Sequence, residues 1–139
     1  MSDSLPFHFE GFSLPVSDVD RSVAFYRDLL GVQVEQQHGH TFALLRIGEG
    51  TIGLLRAEVS TAKTMANLSL EARAAIHVEL TTDDLDALYE TLVARGIVFD
   101  EPPHDEPWER SMSTHDPDGY TIEFAQGRRG ENSAMWTKE

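Results

Sequence analysis

The strongest constraint on the fold is an internal repeat. The segment "EGFSLPVSDVDRSVAFY", beginning at Glu10, reads like an earlier copy of "AIHVELTTDDLDALY", beginning at Ala75, with Asp18 aligned on Asp84 at an offset of 66 residues. Each copy opens with an alternating run. Phe12, Leu14 and Val16 point away from Gly11, Ser13 and Pro15, and Val78 and Leu80 point away from His77, Glu79 and Thr81, as the two-residue period of a strand requires. The period then lengthens to that of a helix. Ser17 with Asp20 makes a capping-box-like start, Val19, Val23, Tyr26 and Leu30 follow at helical spacing, and Gly31 ends the run; in the second copy Leu85, Leu88 and Leu92 face inward and Gly96 closes. The same register sets Gly11 in the first copy opposite His77 in the second.

After each helix come short strand-like runs broken by glycine or proline. These are "VQVEQ", "FALLRIG" and "TIGLLRA" with a "GEG" turn, then "IVFDE", "RSMSTH" and "YTIEFAQ" with a "DPDG" turn. Each half therefore reads β-α-β-β-β. Hairpin-length strands after one helix favour an antiparallel or mixed sheet with the helix on one face. The expected fold is α+β: two tandem βαβββ modules forming a curled mixed sheet with a concave cleft. The expected boundaries are 7–57 for the first module, 58–74 for a linker with a short helix, 75–126 for the second module and 127–139 for a mobile tail whose only packing residue is Trp136.

Composition narrows the partners. With 24 acidic against 11 basic residues the formal charge is −13, which repels phosphate backbones and anionic bilayers, so nucleic acid and membrane are not expected partners. The same field attracts a cationic ligand, or simply keeps the surface solvated. No apolar run approaches the roughly 20 residues of a membrane span, and "MSDSLPFHFE" lacks the charged-then-apolar order of a secretory signal, so a cytoplasmic location is expected. Without cysteine there is no disulfide, thiolate zinc site or cysteine nucleophile, and any metal must sit on histidine and carboxylate.

Strand parity sorts the side chains into two faces. One takes Phe12, Leu14, Val16, Ile52, Leu54, Val78, Leu80, Ile122 and Phe124, a helix-packed core. The other takes Gly11, Ser13, Pro15, Thr51, Gly53, Leu55, His77, Glu79, Thr81, Thr121, Glu123 and Ala125, which are small or polar and suit a lined concavity. Together "LPVSDVDRSVAFYRDLLG", "HVELTTDDLDALYETLVARGI" and "PWERSMSTHDPDGYTIEF" resemble the vicinal oxygen chelate superfamily, over a span from about Phe7 to Gln126. That superfamily includes glyoxalase I, extradiol dioxygenases, fosfomycin-modifying enzymes and bleomycin-resistance proteins. One scaffold there serves many reactions, so the resemblance speaks to fold more than to chemistry. It also implies a homodimer whose clefts draw on both modules.

In metal-using relatives of the glyoxalase type, each module supplies a histidine from its first strand and a glutamate from its last. Carried over, the second module has both, His77 and Glu123, while the first has Gly11 and Gly53 in their place. One histidine and one carboxylate hold a divalent ion weakly against the usual three or more protein ligands. A site for Mn, Fe, Ni or Zn would need Glu79, two residues from His77, or a histidine from elsewhere: His8, His38, His40, His104 or His115. No cofactor is therefore favoured. His77 and Glu123 are expected to be strand neighbours, so without metal they could hydrogen-bond each other, and such a pair could orient a ligand or act as an acid/base dyad.

The two glycines remove side-chain volume where a ligand could approach the backbone, and equally they are residues that mark bulges. Trp108 could stack on an aromatic ligand or close an interface, with Glu109 beside Asp105 and Glu106 adding charge at a pocket mouth. Asp116 and Asp118 of the turn are expected to serve the backbone. "GEG" is too short for a phosphate loop, and no serine has a nucleophile-elbow context. The expected function is metal-independent binding of an aromatic, cationic small molecule, an antibiotic or a metabolite, as in the bleomycin-resistance branch. The candidate lining is Gly11, Ser13, Gly53, Leu55, His77, Glu79, Trp108, Met112 and Glu123. The alternatives are a metal-dependent glyoxalase- or dioxygenase-type enzyme, or a metal-free isomerase, using His77 and Glu123 as catalytic residues, and an accessory domain filled by a partner protein.

Overall fold

A computed structural model describes residues 5–126; the expected tail with Trp136 lies outside the described residues. The first half forms β1 (Gly11–Val16), α1 (Val19–Ala24), β2 (Gln33–His38), β3 (Phe42–Ile47) and β4 (Gly50–Arg56). The connection holds two 3₁₀ turns, at Ala57–Val59 and Met65–Asn67, and a short α2 (Leu70–Ala74). The second half forms β5 (His77–Thr82), α3 (Leu85–Ala94), β6 (His104–Asp105), β7 (Arg110–His115) and β8 (Thr121–Gln126). The curled mixed sheet is built from two four-stranded sheets, ordered β1-β4-β3-β2 and β5-β8-β7-β6. In each the first strand runs parallel to the last and the other neighbours run antiparallel. The two sheets share one apolar core, in which Leu14, Val16, Leu45 and Leu54 meet Val78, Leu85, Leu92 and Ile122.

Local chemistry departs from expectation at three places. The N-cap of α1 is Asp18, whose side chain accepts the Arg21 N–H, and not Ser17. Ser17 is drawn away because its hydroxyl and N–H both donate to Asp118, at 2.7 and 3.2 Å. Asp84 caps α3 in the equivalent way. The first helix also widens into a π turn over Phe25–Leu29, with Leu30 N–H reaching back five residues to Phe25. Lastly, "IVFDE" is not a strand. Asp100 N–H does bond to Ser113 O at 2.9 Å, but Pro102 and Pro103 have no N–H to donate and pairing resumes only at His104–Asp105.

The "DPDG" turn joins the modules as well as the strands. Asp116 Oδ1 accepts the N–H groups of Asp118 and Tyr120, as expected of a turn carboxylate. From the same turn Tyr120 donates its hydroxyl to Pro15 O at 2.6 Å, and Arg21 of α1 donates to Pro117 O. These contacts cross from one repeat to the other.

Candidate functional site

In the first module, β1 and β4 lie side by side with Gly11 against Thr51 and Ser13 against Gly53. Strand β3 places Phe42, Leu44 and Arg46 beside Leu55, Gly53 and Thr51, and thus on the same face. A cavity of about 400 Å³ opens here, walled by Phe12, Ser13, Phe42 and Leu44 around the two glycines. Phe12 was expected in the core. It lies at the start of β1, is 44% exposed and borders the cavity. Arg46 is held by Glu35 at 2.8 and 3.2 Å, which keeps that carboxyl below its ordinary range and neutralises the guanidinium on this face.

The glycines have different reasons. A Cβ on Gly11 would sit 1.9 Å from the Thr51 carbonyl oxygen and 2.6 Å from its hydroxyl, at a φ of +155°. Glu10 O accepts both the N–H and the hydroxyl of Thr51, at 3.0 Å each, so that contact is anchored. A Cβ on Gly53 would meet the Phe42 ring at 3.0 Å and Ser13 Cβ at 3.2 Å. The places where a first-module histidine and glutamate would stand are thus taken by a backbone carbonyl and an aromatic ring. The two-module metal site does not fit this chain.

In the second module the donors converge. Glu79 and Glu123 are direct partners across β5 and β8; His77 pairs with Thr121 and stands diagonal to Glu123 on the neighbouring strand, so the two are strand neighbours as expected. One ligand atom from each of His77, Glu79 and Glu123 lies within 4.8 Å of the others. The other expected histidine sources are engaged elsewhere: His38 with Gln36, His40 with Asp20, His104 with Glu101 and Glu106, and His115 with Asp100. His8 lies on the N-terminal segment and does not belong to this group. Two carboxylates and one imidazole can bind a cation, whether a divalent metal or a ligand ammonium, with Ser113 on the same face opposite Glu123.

Three expected lining residues stand elsewhere. Met112 pairs with Phe124 and is 1% exposed, so it belongs to the core; its serine neighbours take the cleft face. Trp108 is half exposed at the tip of a tight turn closed by Glu106 N–H to Glu109 O at 2.7 Å, and does not border the cavity. The same turn directs Glu109 inward, where it is 3% exposed, and not toward a pocket mouth. Leu55 lies on the cleft face but beyond the cavity. Phe12, Phe42 and Leu44 are lining residues that sequence reasoning missed. Strand β3 is apolar on both faces, so alternation could not assign them.

Paired βαβββ modules with a donor cluster on the open face define a protein of the vicinal oxygen chelate class. Residues 7–124 match the Glyoxalase/Bleomycin resistance protein/Dioxygenase superfamily, to which the chain belongs. It is 29% identical over 125 residues to a bleomycin resistance protein of Geobacillus stearothermophilus, covering 82% of this chain and 92% of that one. It is also 29% identical over 127 residues to a probable lactoylglutathione lyase of Vibrio cholerae, covering 84% and 88%. Among solved structures, TnmS3, an antibiotic binding protein from Streptomyces sp. CB03234, superposes with a TM-score of 0.68 at 26% identity, over 91% of this chain and 98% of that one. Equal identity to a binding protein and to a lyase leaves the decision to the site.

Proposed function

We propose that this chain is a metal-independent small-molecule binding protein of the glyoxalase/bleomycin-resistance type, a cytoplasmic homodimer that sequesters an aromatic, cationic antibiotic or metabolite. The observation that carries the proposal is the Thr51 carbonyl 1.9 Å from where a Gly11 Cβ would be, which takes the space of the first-module metal ligands. In their place are Phe12, Phe42 and Leu44, a surface for a planar ring. A ligand cation would turn toward Glu79 and Glu123. In the proposed homodimer a second copy supplies the facing wall of the cleft. The test is calorimetric titration of chelator-treated protein with bleomycin and a panel of planar aromatic cations, with mass spectrometry of the recovered ligand. Saturable binding of unchanged ligand is expected; catalytic conversion in the metal-free protein would overturn the reading.

A second reading has its own observation. His77, Glu79 and Glu123 offer three donors within 4.8 Å, the number a catalytic ion uses when it keeps an open position. In that reading they hold Mn, Fe, Ni or Zn for a glyoxalase- or dioxygenase-type reaction, or His77 and Glu123 serve as the acid/base pair of a metal-free isomerase. Activity that is lost on chelation and restored by one of these ions would favour the metalloenzyme. Activity that survives chelation but not His77→Ala would favour the isomerase.

A further inference from the structure

We infer that the charged group of the captured ligand is an N-alkylated ammonium, seated in a second cavity that Phe9, Phe12, His77 and Glu79 line together. The inference rests on the binding reading proposed above and names the chemistry of the ligand's cation. Every residue it uses comes from one chain.

This cavity lies where the two modules meet and has a volume of about 220 Å³. Phe9, Phe12, Gly50 and Ile52 border it from the first half of the chain, and His77, Val78, Glu79 and Leu80 of β5 border it from the second. It adjoins the aromatic cavity, because Gly11, Phe12 and Thr51 line both. A ligand whose ring lies in the one can place a short substituent in the other.

The wall combines charge with carbon. Glu79 borders the cavity, and ligand atoms of Glu123 and His77 lie within 4.8 Å of its carboxylate, so the group is net negative whether or not the imidazole carries a proton. Most of the remaining wall is two phenyl rings with Ile52, Val78 and Leu80. A primary ammonium holds three N–H donors and needs acceptors on several sides, which rings and aliphatic side chains do not supply. An alkylated ammonium spreads its charge over its carbon substituents. It is drawn to ring faces and to a nearby carboxylate without a hydrogen bond for each substituent.

Exposure points the same way. Phe9 is 87% exposed and Phe12 44%, although both border this cavity. Aromatic surface left to water beside carboxylates gains most from an occupant that covers it and carries positive charge. The formal charge of −13 adds a long-range attraction for the same kind of group. A neutral substituent forgoes that attraction, and an anionic one opposes it.

The test uses probes that share a phenyl ring and differ in the substituent: benzyltrimethylammonium, benzylamine and benzyl alcohol. Each is titrated to about 10 mM into chelator-treated, ¹⁵N-labelled full-length protein, and amide shifts are followed by NMR. Benzyltrimethylammonium is expected to bind at least about 5-fold tighter than either other probe, moving the amides of Gly11, Gly50, Thr51, His77 and Glu79. Phe9→Leu, at an exposed position that borders this cavity and not the aromatic one, should weaken benzyltrimethylammonium by about 3-fold or more and leave benzyl alcohol within about 2-fold. Equal affinity for the trimethylammonium and the primary amine, a preference that survives Phe9→Leu in full, or shifts confined to amides away from the cavity overturns the alkylammonium site and leaves the binding reading standing. No saturable shift with any of the probes also overturns the site. If bleomycin and the planar aromatic cations then fail to bind as well, the binding reading falls with it.

Discussion

The Tyr26 hydroxyl donates to Asp116 Oδ2 at 2.7 Å across the boundary between the two repeats. Tyr26 stands in the π turn of the first module, and Asp116 opens the turn between β7 and β8 of the second. Tyr26 is fully buried and Asp116 nearly so. Burial, reinforced by the Asp116 charge, holds the Tyr26 phenol well above its ordinary range, so it stays a donor throughout the stable pH range. With Ser17 on Asp118 and Tyr120 on Pro15 O, this bond helps fix how the two sheets sit relative to each other, and hence the shape of the cleft.

Removing that donor should be costly. Tyr26→Phe leaves Asp116 Oδ2 without its hydroxyl partner in a buried site, for an expected loss of about 2 kcal/mol, against about 1 kcal/mol for Tyr120→Phe. Urea unfolding of the two variants checks this. Equal losses would mean that the Tyr26–Asp116 bond has no special weight.

Asp116 also sets a pH dependence of unusual sign. Desolvation raises its pKa above the ordinary 3.8, more than the hydrogen bonds from Tyr26 and the turn lower it. The folded state then holds the proton more tightly than the unfolded state, so this group's stabilising contribution is complete below about 3.8 and is lost as pH rises through the raised value. Asp116→Asn removes the titration and keeps an acceptor for the turn. The stability of wild type relative to Asp116→Asn should therefore fall as pH is raised from 3.5 toward neutrality. Parallel stability curves for the two proteins would refute the assignment.

Periodicity made the repeat, both helices and the polar trio of His77, Glu79 and Glu123 legible, because in β5 and β8 apolar and polar residues alternate and parity is unambiguous. It failed where both faces are apolar, as for Phe42 and Leu44 in β3, and where a residue lies at a strand's end, as Phe12 does. Met112 was misplaced even though "RSMSTH" carries the right signal: the methionine between two serines is the core residue. The Ser17 cap was lost to a partner 101 residues away in sequence, which no local pattern contains. The cause of Gly11 was hidden for the same reason, since it depends on a carbonyl of the neighbouring strand.

Metal should matter little to this protein. If His77, Glu79 and Glu123 bind Zn or Ni no tighter than a dissociation constant of about 10 μM, then 100 μM metal adds no more than about 1.4 kcal/mol of stability. Thermal unfolding with EDTA, Mn, Ni or Zn should thus give small shifts that Glu123→Gln abolishes. A large shift, or stoichiometric metal in protein purified without chelator or metal-affinity resin, would move the balance to the enzymatic reading.

The two glycines should part company under substitution. Gly11→Ala drives a methyl group into the Thr51 backbone carbonyl, an atom held by strand pairing, so the strand itself must move; the expected loss is about 3 kcal/mol or more. Gly53→Ala meets the edge of the Phe42 ring at 3.0 Å, and a side chain that borders an open cavity can turn aside, for an expected loss of about 1 kcal/mol. The same displacement would push Phe42 into the cavity, so Gly53→Ala should weaken ligand capture more than its small effect on stability suggests. Combining Gly53→Ala with Phe42→Leu should recover the stability, because the shorter side chain clears the new methyl group. Calorimetry of unfolding for the three variants decides the matter: equal losses for Gly11→Ala and Gly53→Ala would show that both glycines serve the backbone alone, with no distinct role for Gly53 in shaping the ligand face.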